Sequence, residues 1–552
     1  MRSYARPDTG FLLDAAGRVL DGSRLYVDVV EINPPLVVGL NALAVLCSKA
    51  LGASDIVVYR VGVAVMLLIS LVLSTQWLRR LMPGDIRLQR AGVLVLAFVL
   101  FALPRQDYGE REHLVLALLL PYLFLVATRT IGNRIATYQG LWPGLAAGCA
   151  FALKPHFLVV WLGVEAWLRG SRRVRLGALL PETVGIAGVL LLYLLLIMLL
   201  TPEYFGVVRL LAGPYSRFLY DPWWHVLVAG PGAMLALFAL LTFLALRDQA
   251  HHQALWVSMA LSTATCLLAG AAQQKGLSYH LYPATGLATT LLGLIVLDTT
   301  PSVGSRVRQL YRTVAVAVFA AGIAVVSLDR VVAATGRSAD SDQPQFERLV
   351  RLVRARAVNS GVFVMSYHIR SSYPLINYSG ARSASRFPHL WILGSEYLDQ
   401  LKQDRPLRYH DPSEMSPSER YLNKAVLEDL ERRPKLLLVL RPARDLPING
   451  YRRLDYVAYF SRVPEIAKIL QQYQLVADAG DYLVYERIPP LAQRTDPAPT
   501  ARPGTQDVVV TREAGASLRL GDPGLLIAIL TFLGSFVASG WRGRSRVAQA
   551  PP

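Results

Sequence analysis

Long apolar runs alternate with short polar loops over most of the chain. Because about twenty apolar residues cross a bilayer as a helix, this pattern predicts a bundle of transmembrane helices. The runs lie at residues 56–78, 90–104, 113–130, 138–154, 155–168, 183–201, 224–246, 254–272, 281–298, 312–328 and 522–540. Residues 138–168 are predicted as two spans that meet at Lys154, since the charges of the loops then fall on consistent sides of the membrane.

The segments flanking this bundle have other patterns. Leu36–Leu51 is apolar but short, and a crossing there would invert every later loop, so it is predicted to lie in the outer interface. Residues 331–490 are mixed in charge, with strand-like runs GVFVMS and KLLLVLR, which is typical of a small α/β domain. The predicted domains are residues 1–55 as a first outer loop with juxtamembrane helices, 56–330 as a helical membrane domain of about ten spans, 331–490 as the α/β domain, 491–520 as a proline-rich linker and 521–541 as a final transmembrane helix.

Loop arginines predict the orientation of these helices. Arginines cluster at residues 79–90, 129–134, 169–175, 306–312 and 542–546, and the positive-inside rule makes these segments cytoplasmic. The alternate loops, residues 1–55 and residues 331–490 then face the periplasmic or extracellular side of the cell inner membrane. With 53% hydrophobic and 17% charged residues, the 552-residue composition fits a polytopic membrane protein, not a large soluble enzyme.

The net charge of +18 first suggests a nucleic-acid partner. Most arginines outside the hydrophilic region lie in the short loops, however, and no basic stripe carries interleaved aromatic residues. No nucleic acid is therefore expected as a partner, whereas membrane lipids are.

Carboxylates gather at the outer ends of the apolar segments, where a charge near the membrane interior is costly. Taken singly, each could be a solvated loop residue, but basic and aromatic residues converge on the same side. The cations can neutralise a leaving phosphate, while a carboxylate can act as base toward a hydroxyl or amine. The candidates are Asp8, Asp28, Glu31, Glu110, Glu112, His113, Lys154, Arg209, Tyr215, Arg217, Lys275, Tyr279 and His280.

An ordered set of motifs then resembles a known family. DTGFLLDAAGRVLDGSRLYVDVVEINPPL is followed by GEREHL, ALKPHF and QQKGLSYHLYP. This order is similar to the bacterial GT-C type membrane glycosyltransferases, in the branch with the lipid A aminoarabinose transferases and the protein O-mannosyltransferases. The resemblance covers roughly residues 8 to 300. It implies a mainly α, polytopic GT-C fold with a small α/β domain on the outer side.

The resemblance also implies roles for single residues. Asp8, ahead of a short amphipathic segment and the Pro34-Pro35 turn, matches the family's catalytic base. Glu112, with Glu110 as its alternative, matches an acidic residue near the reaction centre. Glu31 matches a third acidic position, and Lys154 and Lys275 match lysines near the lipid phosphate. The apolar residues of the amphipathic segment are expected to lie on the membrane surface: Phe11, Leu12, Ala15, Val19 and Leu20.

The implied reaction is the transfer of a sugar from a polyprenyl-phosphate donor to an acceptor glycan, lipid or protein. No nucleotide cofactor is expected, and no bound metal is assigned, although His113 and His280 leave a divalent metal open. The family has a transmembrane helix before the first outer loop, whereas seven residues precede Asp8 here. That helix is therefore either absent or lies before the recorded start.

Two other functions compete with this hypothesis. A transporter or flippase would show inverted repeats and helices broken by Gly or Pro at mid-membrane depth. Here the polar residues lie instead at the outer ends of the helices, and a large outer domain is unexpected for a carrier. The second alternative is a catalytically degenerate GT-C relative that binds a lipid-linked sugar without turning it over.

Overall fold

The computed structural model describes residues 4–171, 174, 177–298, 306–334, 343–403, 406–442 and 451–488. Contacts divide the chain into two units. The larger comprises Ala5–Val326 and Asp342–Arg487, and the described part of the smaller is mainly the end of one helix. The predicted linker at 491–520 and the predicted helix at 521–541 lie outside the described residues.

The described residues before the α/β domain form fourteen α-helices. They are α1 Pro7–Leu20, α2 Leu36–Leu51, α3 Asp55–Leu81, α4 Ile86–Ala97, α5 Arg111–Thr130, α6 Thr137–Leu153, α7 Leu158–Gly170, α8 Pro181–Leu200, α9 Glu203–Arg217, α10 Trp223–Ala229, α11 Pro231–Leu246, α12 Gln253–Ala272, α13 Tyr282–Asp298 and α14 Arg306–Ala334. A π turn, Phe98–Ala102, extends α4, and a 3₁₀ turn, Pro155–Phe157, separates α6 from α7.

Seven helices within the described residues are long and apolar enough to cross a membrane: α3, α5, α8, α11, α12, α13 and α14. The most apolar stretches of α5 and α13 are each 83% buried in protein, whereas that of α14 is 11% buried. A helix that is apolar all round is buried either by other helices or by lipid. The bundle is therefore centred on α5 and α13, and the molecule is a polytopic, mainly helical membrane protein.

The pair α6 and α8 is packed through small residues. Gly140, Gly144 and Gly148 recur every four residues on α6 and face α8. A Cβ on Gly144 would collide with the backbone of Glu182, so the two helix backbones can approach this closely only because the side chain is absent. Glu182 is itself fully buried and accepts a hydrogen bond of 2.8 Å from Nη2 of Arg129 at the end of α5.

Helix α1 lies inside the protein. Phe11 and Leu12 are 2% and 4% exposed, and Ala15 is fully buried. The expectation that the apolar residues of this segment lie on the membrane surface is therefore wrong for these three residues, because α2 and the α/β domain cover them. Only Leu20, at the end of α1, remains substantially exposed.

The α/β domain follows α14. Its helices are α15 Gln343–Ala357, α16 Leu375–Ser379, α17 Trp391–Glu396, α18 Leu398–Leu401, α19 Pro417–Glu431, α20 Tyr456–Phe460 and α21 Pro464–Leu470. Its strands are β1 Gly361–Met365, β2 Arg382–Ser383, β3 Leu436–Leu440, β4 Tyr473–Asp478 and β5 Tyr482–Arg487. These form one sheet in the order β2-β1-β3-β5-β4, with β1 parallel to β2 and β3, and β5 antiparallel to β3 and β4. The small sheet domain predicted from the two strand-like runs is confirmed.

Candidate active site

Charged side chains from four separate segments meet where α5 begins and α6 ends. This end of the bundle is called the site end below. At the junction of α6 and α7, Lys154 places Nζ 2.9 Å from Oε1 of Glu112, in the first turn of α5. His280, just before α13, places Nε2 3.7 Å from the same oxygen. Asp8, in the first turn of α1, lies 4.0 Å from Nη2 of Arg111. The structure thus brings together residues that are far apart in the sequence.

Arg111 is a charged residue of this cluster that the sequence analysis did not single out. It is the first residue of α5, is 6% exposed, and its Nε and Nη1 atoms have no hydrogen-bond partner among the described residues. A buried guanidinium with unused donors is costly unless a ligand satisfies it. Its position between Glu110 and Glu112 gave the only signal in the sequence, and there the acidic neighbours dominated the interpretation.

Asp8 is the carboxylate of this cluster whose side chain is partly exposed to solvent. Its side chain is 29% exposed, whereas that of Glu112 is fully buried. Burial raises the pKa of Asp8, the Arg111 charge opposes that rise, and Glu31 and Glu112 add to it. A carboxylate with one cationic partner and an open face is placed to accept a proton.

Glu110 lies beside Asp8 and is more deeply enclosed. Thr9 Oγ1 donates a hydrogen bond of 3.4 Å to Glu110 Oε1. Burial, followed by the charge of Asp8, raises the pKa of Glu110 to about 8. At neutral pH Glu110 is therefore mainly protonated, and the charge of Arg111 is balanced by Glu112, Glu31 and Asp8.

Glu31 is held by the turn that leads into α2. Its Oε1 atom accepts a hydrogen bond of 2.8 Å from the backbone N–H of Asn33, and the Tyr26 hydroxyl donates to the carbonyl of Asn33 at 2.7 Å. The charge of Glu31 acts on both Asp8 and Tyr215, so it belongs to the same cluster.

Two aromatic residues also border the cluster. The Tyr279 ring lies 4.5 Å from the His280 ring, and the Arg6 guanidinium stands over Tyr279 at 5.9 Å. Burial raises the pKa of Tyr215 to about 12, with nearby charges that include Arg111 and Asp8. Both predicted aromatic residues therefore stand at the edge of the charged site.

Lys275 contacts backbone carbonyls in the structure. Its Nζ atom donates to the carbonyls of Tyr215 at 2.6 Å and Ser216 at 3.3 Å, and also to that of Phe218. These carbonyls belong to the end of α9 and the turn after it, where a cation stabilises the helix. The expectation that Lys275 binds phosphate is not supported, since its three N–H donors already serve the backbone.

Three more predicted residues lie outside the cluster or face away from it. His113 accepts from the N–H of Gly109 at 3.1 Å and donates to the carbonyl of Leu100 at 2.9 Å, so both ring nitrogens serve the backbone. Arg217 pairs with Asp399 of the α/β domain at 2.5 Å, on the surface. Arg209 is exposed on α9.

Asp28 also belongs to a structural contact. Its carboxylate accepts a hydrogen bond of 2.9 Å from the backbone N–H of Arg24, which lowers its pKa, and it lies 3.7 Å from Arg432. Asp28 therefore helps to join the first loop to the α/β domain.

A divalent metal was left open by the sequence. His156 Nε2 and His280 Nδ1 are buried without a hydrogen-bond partner among the described residues. No group of three or more His, Cys, Asp or Glu side chains in the described part of the chain is arranged to hold a metal ion. No chemical step is assigned to a metal.

An apolar helical bundle, a small α/β domain and a buried charged site at one end of the helices define a polytopic membrane protein with the GT-C glycosyltransferase fold. The chain is similar to ArnT from Cupriavidus metallidurans, solved in the apo state, with a TM-score of 0.53 and 12% identity over 88% of this chain and 94% of that one. The same protein bound to undecaprenyl phosphate gives a TM-score of 0.52 and 11% identity, with the same coverage. At this identity the likeness establishes the fold.

A structure of the arabinofuranosyltransferase AftD from mycobacteria also matches. Its TM-score is 0.37 at 16% identity, with 81% of this chain and 35% of that chain covered. No sequence-family profile matches the chain, and no curated protein matches it.

Proposed function

We propose that this chain is an integral membrane glycosyltransferase that transfers a sugar from a polyprenyl-phosphate donor to an acceptor at the site end of the bundle. The observation that carries the proposal is Arg111, whose Nε and Nη1 atoms are buried without a hydrogen-bond partner among the described residues, beside the partly exposed carboxylate of Asp8. This pair supplies a cation for a leaving phosphate and a base for an acceptor. The similarity in fold to a protein solved with undecaprenyl phosphate supports the same donor class.

Arg111 would hold the donor phosphate. A guanidinium can donate two parallel hydrogen bonds to phosphate oxygens, and such charge-assisted bonds are about twice as strong as neutral ones. The phosphate gains negative charge as the bond to the sugar breaks, so Arg111 stabilises the transition state more than the ground state. Lys154 would have the smaller part in binding the phosphate, because the charge of Lys154 is already balanced by its ion pair with Glu112.

Asp8 would act as the base. The acceptor hydroxyl or amine attacks the anomeric carbon, the bond between that carbon and the phosphate oxygen breaks, and its electron pair leaves on the phosphate. Asp8 accepts the proton that the acceptor loses. Attack opposite the leaving phosphate inverts the anomeric configuration. Glu31, Tyr215, Tyr279 and His280 border this space and would orient the two substrates.

The orientation in the membrane is also proposed. The positive-inside rule places the arginine-rich loops in the cytoplasm, so the site end and the α/β domain would face the periplasmic or extracellular side of the cell inner membrane. A polyprenyl-phosphate donor would then enter laterally from the bilayer, and an acceptor glycan, lipid or protein would arrive from the outer side.

The test is to incubate membranes containing the chain with a panel of labelled polyprenyl-phosphate sugars and to follow the label. We expect one label to leave the lipid for an inverted product, and Asp8→Asn to lower turnover by at least about a hundredfold with donor binding kept. Asp248→Asn is the matched control, because Asp248 is an exposed aspartate that follows α11. Near-normal turnover of Asp8→Asn would show that another residue is the base.

Two other outcomes would overturn the proposal. If the label moves across the membrane while still attached to its lipid, the chain is a transporter or flippase. If the wild-type chain binds the donor and no sugar leaves it for any acceptor in the membrane fraction, the chain is a non-catalytic relative of the GT-C enzymes.

A further inference from the structure

The α/β domain holds one face of α1. Tyr373 donates from its hydroxyl to Oδ2 of Asp14 at 2.7 Å, and Asn377 donates from Nδ2 to the carbonyl of Gly10 at 3.0 Å. Arg18 in turn donates from Nη1 a hydrogen bond of 2.8 Å to the carbonyl of Ser385. Gly10, Asp14 and Arg18 are spaced four residues apart, so they form one stripe along the helix.

The Asp8 side chain projects away from Gly10. A helix turns about 100° per residue, so Asp8, two residues before Gly10, lies about 200° around α1 from it. There Asp8 lies 4.0 Å from Nη2 of Arg111, and Thr9 contacts Glu110. Helix α1 is thus fixed between the α/β domain and the ends of the membrane helices.

The packing between α1 and the α/β domain leaves little freedom. The rings of Phe11 and Tyr373 meet edge to face at 5.4 Å, and the two residues are 2% and 0% exposed. A Cβ added to Gly10 would lie 2.7 Å from Oδ1 of Asn377 and 3.3 Å from Cα of Pro374. Close-packed interiors have discrete arrangements, and buried hydrogen bonds select one of them.

We propose that Tyr373 and Asn377 of the α/β domain are positioning residues that fix α1 and thereby hold the Asp8 carboxylate against Arg111. This inference rests on the proposed glycosyl transfer. It gives the α/β domain a part in the reaction although neither residue belongs to the charged cluster. A displacement of about 1 Å in a reacting group can cost about a hundredfold in rate, so loosening one of these contacts is expected to have a smaller but measurable effect.

A pair of tyrosine variants tests the inference. Tyr373→Phe removes the bond to α1, and Tyr473→Phe removes a buried hydroxyl that donates at 2.7 Å to the carbonyl of Pro434, inside the α/β domain alone. We expect Tyr373→Phe to lower kcat about tenfold with donor affinity within about twofold of wild type, and Tyr473→Phe to change neither. Equal effects of the two variants on kcat would contradict the inference.

A steric pair tests the same contact from the side of α1. Gly10→Ala should push α1 away from Asn377 and lower kcat, while Gly10→Ala combined with Asn377→Ala should recover part of the loss, because the colliding oxygen is gone. Such non-additivity is the signature of two residues in direct contact. Additive losses would show that Asn377 does not set the position of α1.

Amide hydrogen exchange of peptides from α1 measures positioning without turnover. Exchange in α1 should be faster in Tyr373→Phe than in Tyr473→Phe, and equal rates would overturn the inference. If wild-type membranes transfer no sugar, the proposed function fails, while the exchange comparison still decides whether the α/β domain fixes α1.

Discussion

Arg111 differs from the other cations of the site in having donors to spare. Lys154 is paired with Glu112, and Lys275 is bonded to three carbonyls, whereas two N–H groups of Arg111 have no partner among the described residues. When a phosphate accepts hydrogen bonds from a buried guanidinium, those bonds offset the free energy that burial of the guanidinium costs. This difference is the reason we propose Arg111 as the main contact for a donor phosphate.

Substitution of Arg111 should therefore weaken donor binding while the protein still folds. Arg111→Gln removes the charge, so affinity for a polyprenyl phosphate should fall by one to two orders of magnitude, about the value of a lost charge-assisted contact. Arg217→Gln is the matched control, since Arg217 pairs on the surface with Asp399. Binding of a fluorescent polyprenyl phosphate to the purified protein measures both. Equal affinities in the two variants would show that Arg111 does not bind the donor.

Glu110 should make stability depend on pH. Its pKa is raised from 4.5 to about 8, mainly by burial. The folded protein then holds this proton more tightly than the unfolded chain does, so stability is greatest below the unfolded pKa and falls as the pH rises toward 8. Glu110→Gln keeps an acceptor for Thr9 and has no proton to lose, so it should flatten this fall.

Thermal unfolding of the purified protein between about pH 5 and pH 9 measures the effect. The gap between Glu110→Gln and wild type should widen with pH, whereas Glu431→Gln, at an exposed position, should follow wild type throughout. A constant gap between the two curves would mean that Glu110 does not titrate over this range.

The sequence predicted the carboxylates of the site better than its cations. A carboxylate beside an apolar run rarely lies there without a structural or functional reason, and this rule singled out four that lie close together in the structure: Asp8, Glu31, Glu110 and Glu112. Lys275 was assigned to phosphate, whereas in the structure it contacts backbone carbonyls at the end of α9 and just after it, and these become its neighbours only in the fold. The burial of Arg111 and its missing partners are likewise three-dimensional properties, which explains why that residue was overlooked.

Helix positions followed from the long apolar runs, but helix breaks and burial followed less well. Residues 224–246 were predicted as one span, and the structure separates α10 from α11 at Gly230, where Pro231 starts the second helix. The burial of α1 could not be predicted at all. It depends on Tyr373, which lies 359 residues from its partner Asp14, and no local pattern encodes such a contact.

The contact of α6 with α8 gives a test of the helix packing. Gly144→Ala should destabilise the protein by about 1–3 kcal/mol, because the added methyl meets the Glu182 backbone, which cannot rotate away. Gly188→Ala, on α8, meets nothing within 4 Å and should be neutral or slightly stabilising, since Ala is the better helix former. Thermal unfolding in detergent compares the two. Equal stability would show that the helices can move apart without cost.

The fold class was predictable from the sequence because long apolar runs and a single mixed-charge segment leave few architectures open. The likeness to ArnT confirms that class. The boundaries of the segments after residue 490 stay predictions, since they lie outside the described residues. The orientation of the bundle also stays a prediction, because it depends on loop charge and on no contact within the chain.

That orientation can be tested with two single cysteines in a chain from which Cys47, Cys149 and Cys266 have been replaced. Asp399→Cys probes the α/β domain, where the side chain is 77% exposed, and Arg87→Cys probes the exposed first turn of α4. The positive-inside rule places the arginines at residues 79–90, where α3 ends and α4 begins, in the cytoplasm. A membrane-impermeant thiol reagent added to intact cells should therefore label Asp399→Cys, and should label Arg87→Cys only after the membrane is permeabilised. Labelling of Arg87→Cys in intact cells would invert the orientation and put Asp8 and Arg111 on the cytoplasmic side, where the acceptor would have to be a cytoplasmic molecule.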